Sequence, residues 1–327
     1  MGSIEKKGIV VAGSILVDKI NEIASYPESG ELTKILNITT SVGGCVPNVA
    51  IDLKRIKPDL NISAIGRVGD DKEGEFVIKT LCENGVDVSG VNVIPGKKTT
   101  FTDVMSIKGG QRTFFTYAGA DSELCIDDID FNSLNPKILH LGYFLLLDSI
   151  DRGQGLEILK YACSLGIKTS IDMVSENSDR YSLVIPCLEY TDYLIINETE
   201  AGKLTGLEPT KNNLKKIADK LKQFGVREKV IIHMPDCSVC VSNDGFSFMG
   251  AVDVPKSYIK GKTGAGDAFC AGALIGIHNG MSDMQIMDLA SCTAIMALGA
   301  NDATSGLKTE AETKEFCKQF GRIQVCL

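Results

Sequence analysis

Gly261-Lys262-Thr263-Gly264-Ala265-Gly266-Asp267-Ala268-Phe269 is the stretch whose reading decides the fold. It follows strand-like residues and opens an apolar helix expected over Asp267–His278. Successive small residues let the backbone turn tightly and leave its N–H groups open. With the positive end of the helix dipole, those donors form a site for an anion such as a phosphoryl group. Asp267, in the first turn, would lie beside that anion and could take a proton from a hydroxyl attacking phosphorus. As an N-terminal capping carboxylate it would only satisfy the helix. The stretch alone leaves both readings open. It also overlaps the tail of a G-x-x-x-x-G-K-[ST] phosphate loop, but the first glycine of that loop would fall on Lys256.

Outward from this stretch, short apolar runs alternate with helical patterns. Strands are expected at Ile9–Ile15, Ile62–Val68, Ile138–Tyr143, Lys168–Asp172, Tyr193–Asn197 and Val230–Met234. Helices are expected at Pro47–Lys57, Glu73–Asn84, Leu156–Leu165, Asn213–Phe224, Asp267–His278 and Asp283–Leu298. In the fourth, Leu214, Ile217, Ala218, Leu221 and Phe224 share one face, and Gly225 supplies the stop. This alternation implies an α/β fold whose mainly parallel sheet is covered on both faces. Two stretches break it. Residues 19–42 are mixed and polar, and residues 98–118 read as a hairpin, Thr100–Ile107 then Thr113–Tyr117, turned at Lys108-Gly109-Gly110-Gln111. Both carry antiparallel signals and are expected to form a small accessory sheet on a single domain spanning 1–327. A second hairpin is expected at Val239–Ser242 and Phe246–Met249.

The 327 residues are 44% hydrophobic and 23% charged, enough apolar sequence for a large core, which excludes a disordered or disulfide-stapled chain. Lys and Arg total 34 against 42 Asp and Glu, a net charge of −8 with no basic tract, which argues against a nucleic-acid partner. The 11 cysteines are odd in number and several lie in apolar context, as expected of free thiols in a reducing cytoplasm. Lys6-Lys7 before the apolar Gly8–Val17 run loosely imitates a signal peptide, but no cleavage site follows and Asp18 ends the run. Lys6 stands where myristoylation wants Ser or Thr, and no uncharged apolar run is long enough for a membrane span.

Three motifs in order make the chain resemble the ribokinase-like (PfkB) family of carbohydrate kinases from about Ile9 to Gly321. The first is Gly43-Gly44, Pro47-Asn48 and Gly66-Arg67-Val68-Gly69-Asp70-Asp71-Lys72-Glu73-Gly74. The second is Asn197-Glu198-Thr199-Glu200, an N-x-x-E at a strand end, and the third is Thr263-Gly264-Ala265-Gly266-Asp267. The resemblance implies a three-layer α/β/α fold with a β-sheet lid from about 19–42 and 98–118. It implies transfer of the γ-phosphoryl of ATP to a hydroxymethyl oxygen of a sugar. Asp267 would be the base, and the N–H groups of Gly264, Ala265 and Gly266 the anion hole. Thr263, Asn197 and Glu200 would serve the cofactor, Glu200 ordering Mg²⁺ through water. Asp18, at the end of the first strand, would accept bonds from sugar hydroxyls, with Gly43, Gly44 and Asn48 lining the same pocket. Ser291 would line the adenine pocket, and the lid would close over the sugar and could pair with a second copy in a homodimer. Taken singly, Asp18 also reads as a strand-end cap, Gly43-Gly44 as a plain turn and Asn197 as a loop hydrogen-bonder.

The chain departs from the family in places. His233-Met234-Pro235-Asp236-Cys237-Ser238 replaces the T-x-G-x-x-G that normally helps hold the nucleotide. Gly261 stands where an aspartate often helps bind a monovalent cation, so potassium activation of the usual kind is not expected. Lys262 reads either as a neighbour of the donor phosphates or as a solvated loop residue. His233, Cys237 and Cys240 have zinc-like spacing but no local fourth ligand, and a strand would turn alternate side chains apart. His140 and His278 lie in apolar stretches and read as structural; Arg112 reads as an exposed lid residue. The resulting expectation is a cytoplasmic, ATP- and Mg²⁺-dependent sugar kinase with a small-molecule substrate and no membrane partner. A nucleoside kinase is the alternative raised by the apolar 141–147 run with Phe114, Phe115 and Tyr117. A non-catalytic sugar or nucleotide sensor is the alternative raised by the altered 233–238 loop. A dehydrogenase would need a G-x-G-x-x-G after the first strand, which is absent.

Overall fold

The computed structural model describes residues 6–108 and 110–325. Among them the strands are β1 (Ile9–Gly13), β2 (Leu16–Ile23), β3 (Ile35–Gly43), β4 (Ile62–Gly69), β5 (Asp87–Ile94), β6 (Thr100–Ser106), β7 (Arg112–Tyr117), β8 (Ile138–Phe144), β9 (Lys168–Met173), β10 (Tyr193–Asn197), β11 (Lys229–His233), β12 (Cys237–Ser242) and β13 (Gly245–Gly250). The helices are α1 (Cys45–Ile56), α2 (Lys72–Glu83), the single turn α3 (Phe131–Leu134), α4 (Gly155–Ser164), α5 (Glu198–Thr205), α6 (Leu214–Gln223), α7 (Ala265–His278), α8 (Asp283–Leu298) and α9 (Glu310–Cys317).

Nine strands form the main sheet in the order β13-β12-β11-β10-β9-β8-β1-β4-β5. The pairs from β11 to β5 are parallel, and β12 and β13 add an antiparallel edge. Side chains alternate along β1, so Ile9 and Val11 pack with α1, α2, α7 and α8 on one face. Val10 and Ala12 pack with α4, α5 and α6 on the other, which makes three layers. In α6, Leu214, Ile217, Ala218 and Leu221 are buried as their spacing predicts. The carboxyl ends of β8, β9, β10 and β11 lie side by side, the edge at which an open parallel sheet receives its ligands.

Four strands form a separate sheet in the order β3-β2-β6-β7. Its origin corrects one expectation. The first strand ends at Gly13, and Ser14 is tied to the start of α1, its Oγ accepting from Cys45 N at 3.0 Å and its carbonyl from Val46 N at 3.1 Å. The chain then leaves the main sheet, so Asp18 lies within β2 of the small sheet and not at the end of the first strand. The β6–β7 hairpin is antiparallel as expected, but β2 and β6 pair parallel, Asp18 opposite Thr102. The strand β5 and the helices α5 and α9 were not anticipated. No helix among the described residues is long and apolar enough to cross a membrane.

Candidate active site

The start of α7 is built as the glycine-rich stretch suggests. Gly264 caps it with φ +76°, and an added Cβ would stand 2.5 Å from the Ala303 backbone, so both conformation and space require glycine. The amides of Gly264, Gly266 and Asp267 donate to no group among the described residues. The Ala265 amide is the exception to the expected anion hole: it donates to the Lys262 carbonyl at 3.4 Å, closing the turn. Thr263 is exposed and lines neither of the two cavities described below.

Asp267 does not cap its own helix. It is buried at 6% exposure, and its carboxylate is held from two other elements. Oδ2 accepts from Asn48 Nδ2 at 2.9 Å, and the Tyr143 hydroxyl donates to Oδ1 and Oδ2 at 2.9 and 3.0 Å. One lone pair on Oδ1 stays free for a further donor. Burial, and then the nearby Asp172 carboxylate, push the Asp267 pKa up to about 7, against the lowering effect of the Asn48 and Tyr143 bonds. Such a value suits a base working near neutrality. Tyr143 reaches this position because the chain turns left-handed at the end of β8 and just beyond it, Tyr143 at φ +60° and Leu145 at φ +74°. Asp172 fixes that bend by accepting from Tyr143 N at 2.6 Å. Neither Tyr143 nor Asp172 was singled out from the sequence.

Asn48 sits on α1, one turn after the Gly43-Gly44 entry. Its Oδ1 is buried without a partner among the described residues, leaving an acceptor for an incoming donor. Gly43 lies opposite Leu16 in the β2–β3 ladder, and a Cβ on it would collide with Asp18 Oδ2. The glycine therefore makes room for the Asp18 carboxylate, which accepts no hydrogen bond from the described residues. Burial pushes the Asp18 pKa up to about 6.

Asn197 and Glu200 form a reciprocal capping box at the start of α5. Asn197 Oδ1 accepts from Glu200 N at 2.9 Å, and Glu200 Oε2 accepts from Asn197 N at 3.0 Å. Glu200 Oε1 accepts from Asn197 Nδ2 at 2.7 Å and from Ser175 Oγ at 2.8 Å. The N-x-x-E motif thus has a complete structural role. One Oε2 lone pair is left, and burial pushes the Glu200 pKa up to about 7, with Asp172 adding to the rise. Glu200, Asp172, Asn197, Gly264, Gly266 and Asp267 line one cavity of about 220 Å³. Of its three carboxylates, Glu200 and Asp172 beside the open amides fit a hydrated hard cation and a phosphate group together.

A larger, mostly apolar groove of about 510 Å³ adjoins it, lined among others by Met234, Pro235, Lys262, Phe269, Ser291 and Ile295. The altered 233–238 loop therefore still walls a groove. Ser291 is there as expected, although its Oγ accepts from Arg322 Nη1 at 3.1 Å. His233 borders both cavities and packs on Phe269 with centroids 4.6 Å apart. Burial lowers its pKa to about 4, so it is a neutral imidazole able to donate one hydrogen bond. The zinc-like spacing dissolves in the fold, since Cys237 and Cys240 pack on opposite faces of the sheet.

Comparison with known proteins places the chain in a family. The model of the pfkB family of carbohydrate kinases matches residues 6–310. The chain belongs to that family. A 5-dehydro-2-deoxygluconokinase of Clostridium perfringens is 25% identical over 298 residues, 88% of this chain and 87% of its own. The ribokinase of Schizosaccharomyces pombe is 26% identical over 306 residues, covering 91% and 94%. Among solved structures, Arabidopsis thaliana ribokinase with ribose and ATP superposes with a TM-score of 0.83 at 22% identity, over 96% of this chain and 99% of that one. The family's ribokinase-like fold and its carbohydrate kinase class are therefore those of this protein.

Proposed function

We propose that the protein transfers the γ-phosphoryl group of ATP to a hydroxymethyl oxygen of a sugar, with Asp267 as the base. The observation that carries this reading is a buried carboxylate, not used as a cap, beside open amides at a helix start. The sugar binds between the two sheets, its hydroxyls donating to Asp18 and to the free Oδ1 of Asn48. Its reactive hydroxyl donates to the free lone pair of Asp267. As that oxygen attacks phosphorus, Asp267 takes its proton, while Asn48 and Tyr143 hold the carboxylate in line. The amides of Gly264, Gly266 and Asp267 stabilise charge on the transferring group. Magnesium, held through water at Glu200 beside Asp172, would offset phosphate charge when bound. The 510 Å³ groove takes the base and ribose of the donor, with Lys262 and His233 at its phosphate end. The small sheet acts as the lid, excluding water. Its exposed Leu36, Ile38, Phe114 and Phe115 support a second role in pairing with another copy of the chain, which sedimentation equilibrium tests.

A coupled ADP-release screen over pentoses, hexoses, sugar acids and nucleosides tests the reading, with Asp267→Asn as blank. ADP formation on a sugar, lost in the variant, is expected. Turnover restricted to nucleosides would move the assignment within the fold. Calorimetric ligand binding without ADP on any acceptor would favour a sensor.

A further inference from the structure

Beneath Asp267, four elements bring together Cys45 of α1, His140 of β8, Asp172 of β9 and Cys270 of α7. One ligand atom from each of Cys45, His140 and Asp172 lies within 4.8 Å of the other two. Nε2 of His140 is 3.6 Å from Asp172 Oδ2, and Cys270 Sγ lies beside the ring, 3.6 Å from Nε2 and 4.0 Å from Nδ1. With bonds of ~2.0–2.3 Å to a tetrahedral ion, neighbouring ligand atoms stand roughly 3.3–3.8 Å apart, a length the His140–Asp172 edge already has. The other ring nitrogen, Nδ1, pairs with Ser170 Oγ at 3.1 Å, an outer contact of the kind that orients a metal-bound imidazole. Gly142 provides the space, since a Cβ there would overlap Cys45 Sγ. All four residues are buried, yet Asp172 and Cys270 also face the 220 Å³ cavity, which gives an ion a way in.

We propose that Cys45, His140 and Asp172 form a three-ligand site for a borderline-soft divalent cation of the zinc class, its fourth position open to water from the cavity. Thiolate and imidazole ligands favour such an ion over magnesium, whose oxygen-rich position lies at Glu200. The Cys45 thiol releases its proton to solvent as it binds. The ion would tie α1, which carries Asn48, to β8 and β9. This site does not depend on the kinase reading, and its test reads the metal and not turnover.

The test is titration of the metal-free, reduced full-length protein with Co²⁺. One equivalent should produce a thiolate-to-cobalt charge-transfer band and the intense visible bands of tetrahedral cobalt, both removed by one equivalent of Zn²⁺. Cys45→Ser and His140→Ala, folded by circular dichroism, should lose the bands, whereas Cys237→Ser/Cys240→Ser should keep them. Ser170→Ala should keep the spectrum with ~10–100-fold weaker affinity, the usual cost of losing an outer-shell partner. Should the ligand variants not fold, X-ray absorption of the zinc-loaded wild type reads the same shell, with sulfur and imidazole nitrogen expected. No cobalt band in the wild type, a band unchanged in Cys45→Ser, or an oxygen-only zinc shell would overturn the proposal.

Discussion

Two helices in this molecule begin with a carboxylate in the first turn at the carboxyl edge of the sheet, and they use it in opposite ways. In α5, Glu200 is consumed locally: three of its four acceptor positions serve Asn197 and Ser175. In α7, Asp267 gives nothing to its own helix and is held by Asn48 and Tyr143, residues more than a hundred positions away in sequence. The first carboxylate builds a helix end, and the second leaves one open. A motif therefore offers chemistry only through the polar positions not spent on the structure around it, one on Glu200 and the open side of Asp267.

The largest expected effect breaks the open end. Asp267→Asn should keep the fold and lower kcat by ~100-fold or more, read in the coupled assay. Gly264→Ala should follow. It forces a side chain into a left-handed position against the Ala303 backbone and should cost ~1–3 kcal/mol by denaturant unfolding, with a parallel fall in activity. Glu200→Gln sharpens the comparison, because glutamine preserves the capping box. Stability should change by under ~1 kcal/mol, while the magnesium concentration needed for half-maximal rate rises; a large loss of stability with unchanged magnesium dependence would make Glu200 purely structural. Tyr143→Phe is the mildest. Removing a donor to the carboxylate should move the acid limb of the rate profile upward by roughly one pH unit, with the fold intact.

Asp267 also links pH to stability. Its carboxyl, raised from 3.8 to about 7 in the folded chain, keeps its proton where the unfolded chain has lost it. Stability from this group is present below pH ~4 and is lost as the pH rises through ~7. Asp267→Asn should flatten that fall in thermal unfolding across the same window.

Much of this site could be read from the chain because its parts are local. The glycine-rich start of α7, the Asn197–Glu200 pair and the Gly43-Gly44 entry to α1 each sit within a few residues, and their order identifies the family. What escaped the sequence depends on distant strands meeting. Tyr143 reads as one more apolar residue in the 141–147 run until the left-handed turn at the end of β8 swings its hydroxyl onto Asp267. His140 reads as a core residue until Cys45 and Asp172 surround it. Asp18 reads as the end of the first strand because the apolar run Gly8–Val17 continues across a sheet change that only Ser14, bonded to α1, reveals. The engaged Ala265 amide likewise follows from the turn geometry, to which residue type alone is blind.

The most direct test of the central claim is the pH dependence of single-turnover phosphoryl transfer in wild type and Asp267→Asn. The open-carboxylate account predicts a wild-type rate that rises through an apparent pKa near 7, and a slow variant whose residual rate lacks that limb. An Asp267→Asn protein that keeps both the rate and the limb would contradict it.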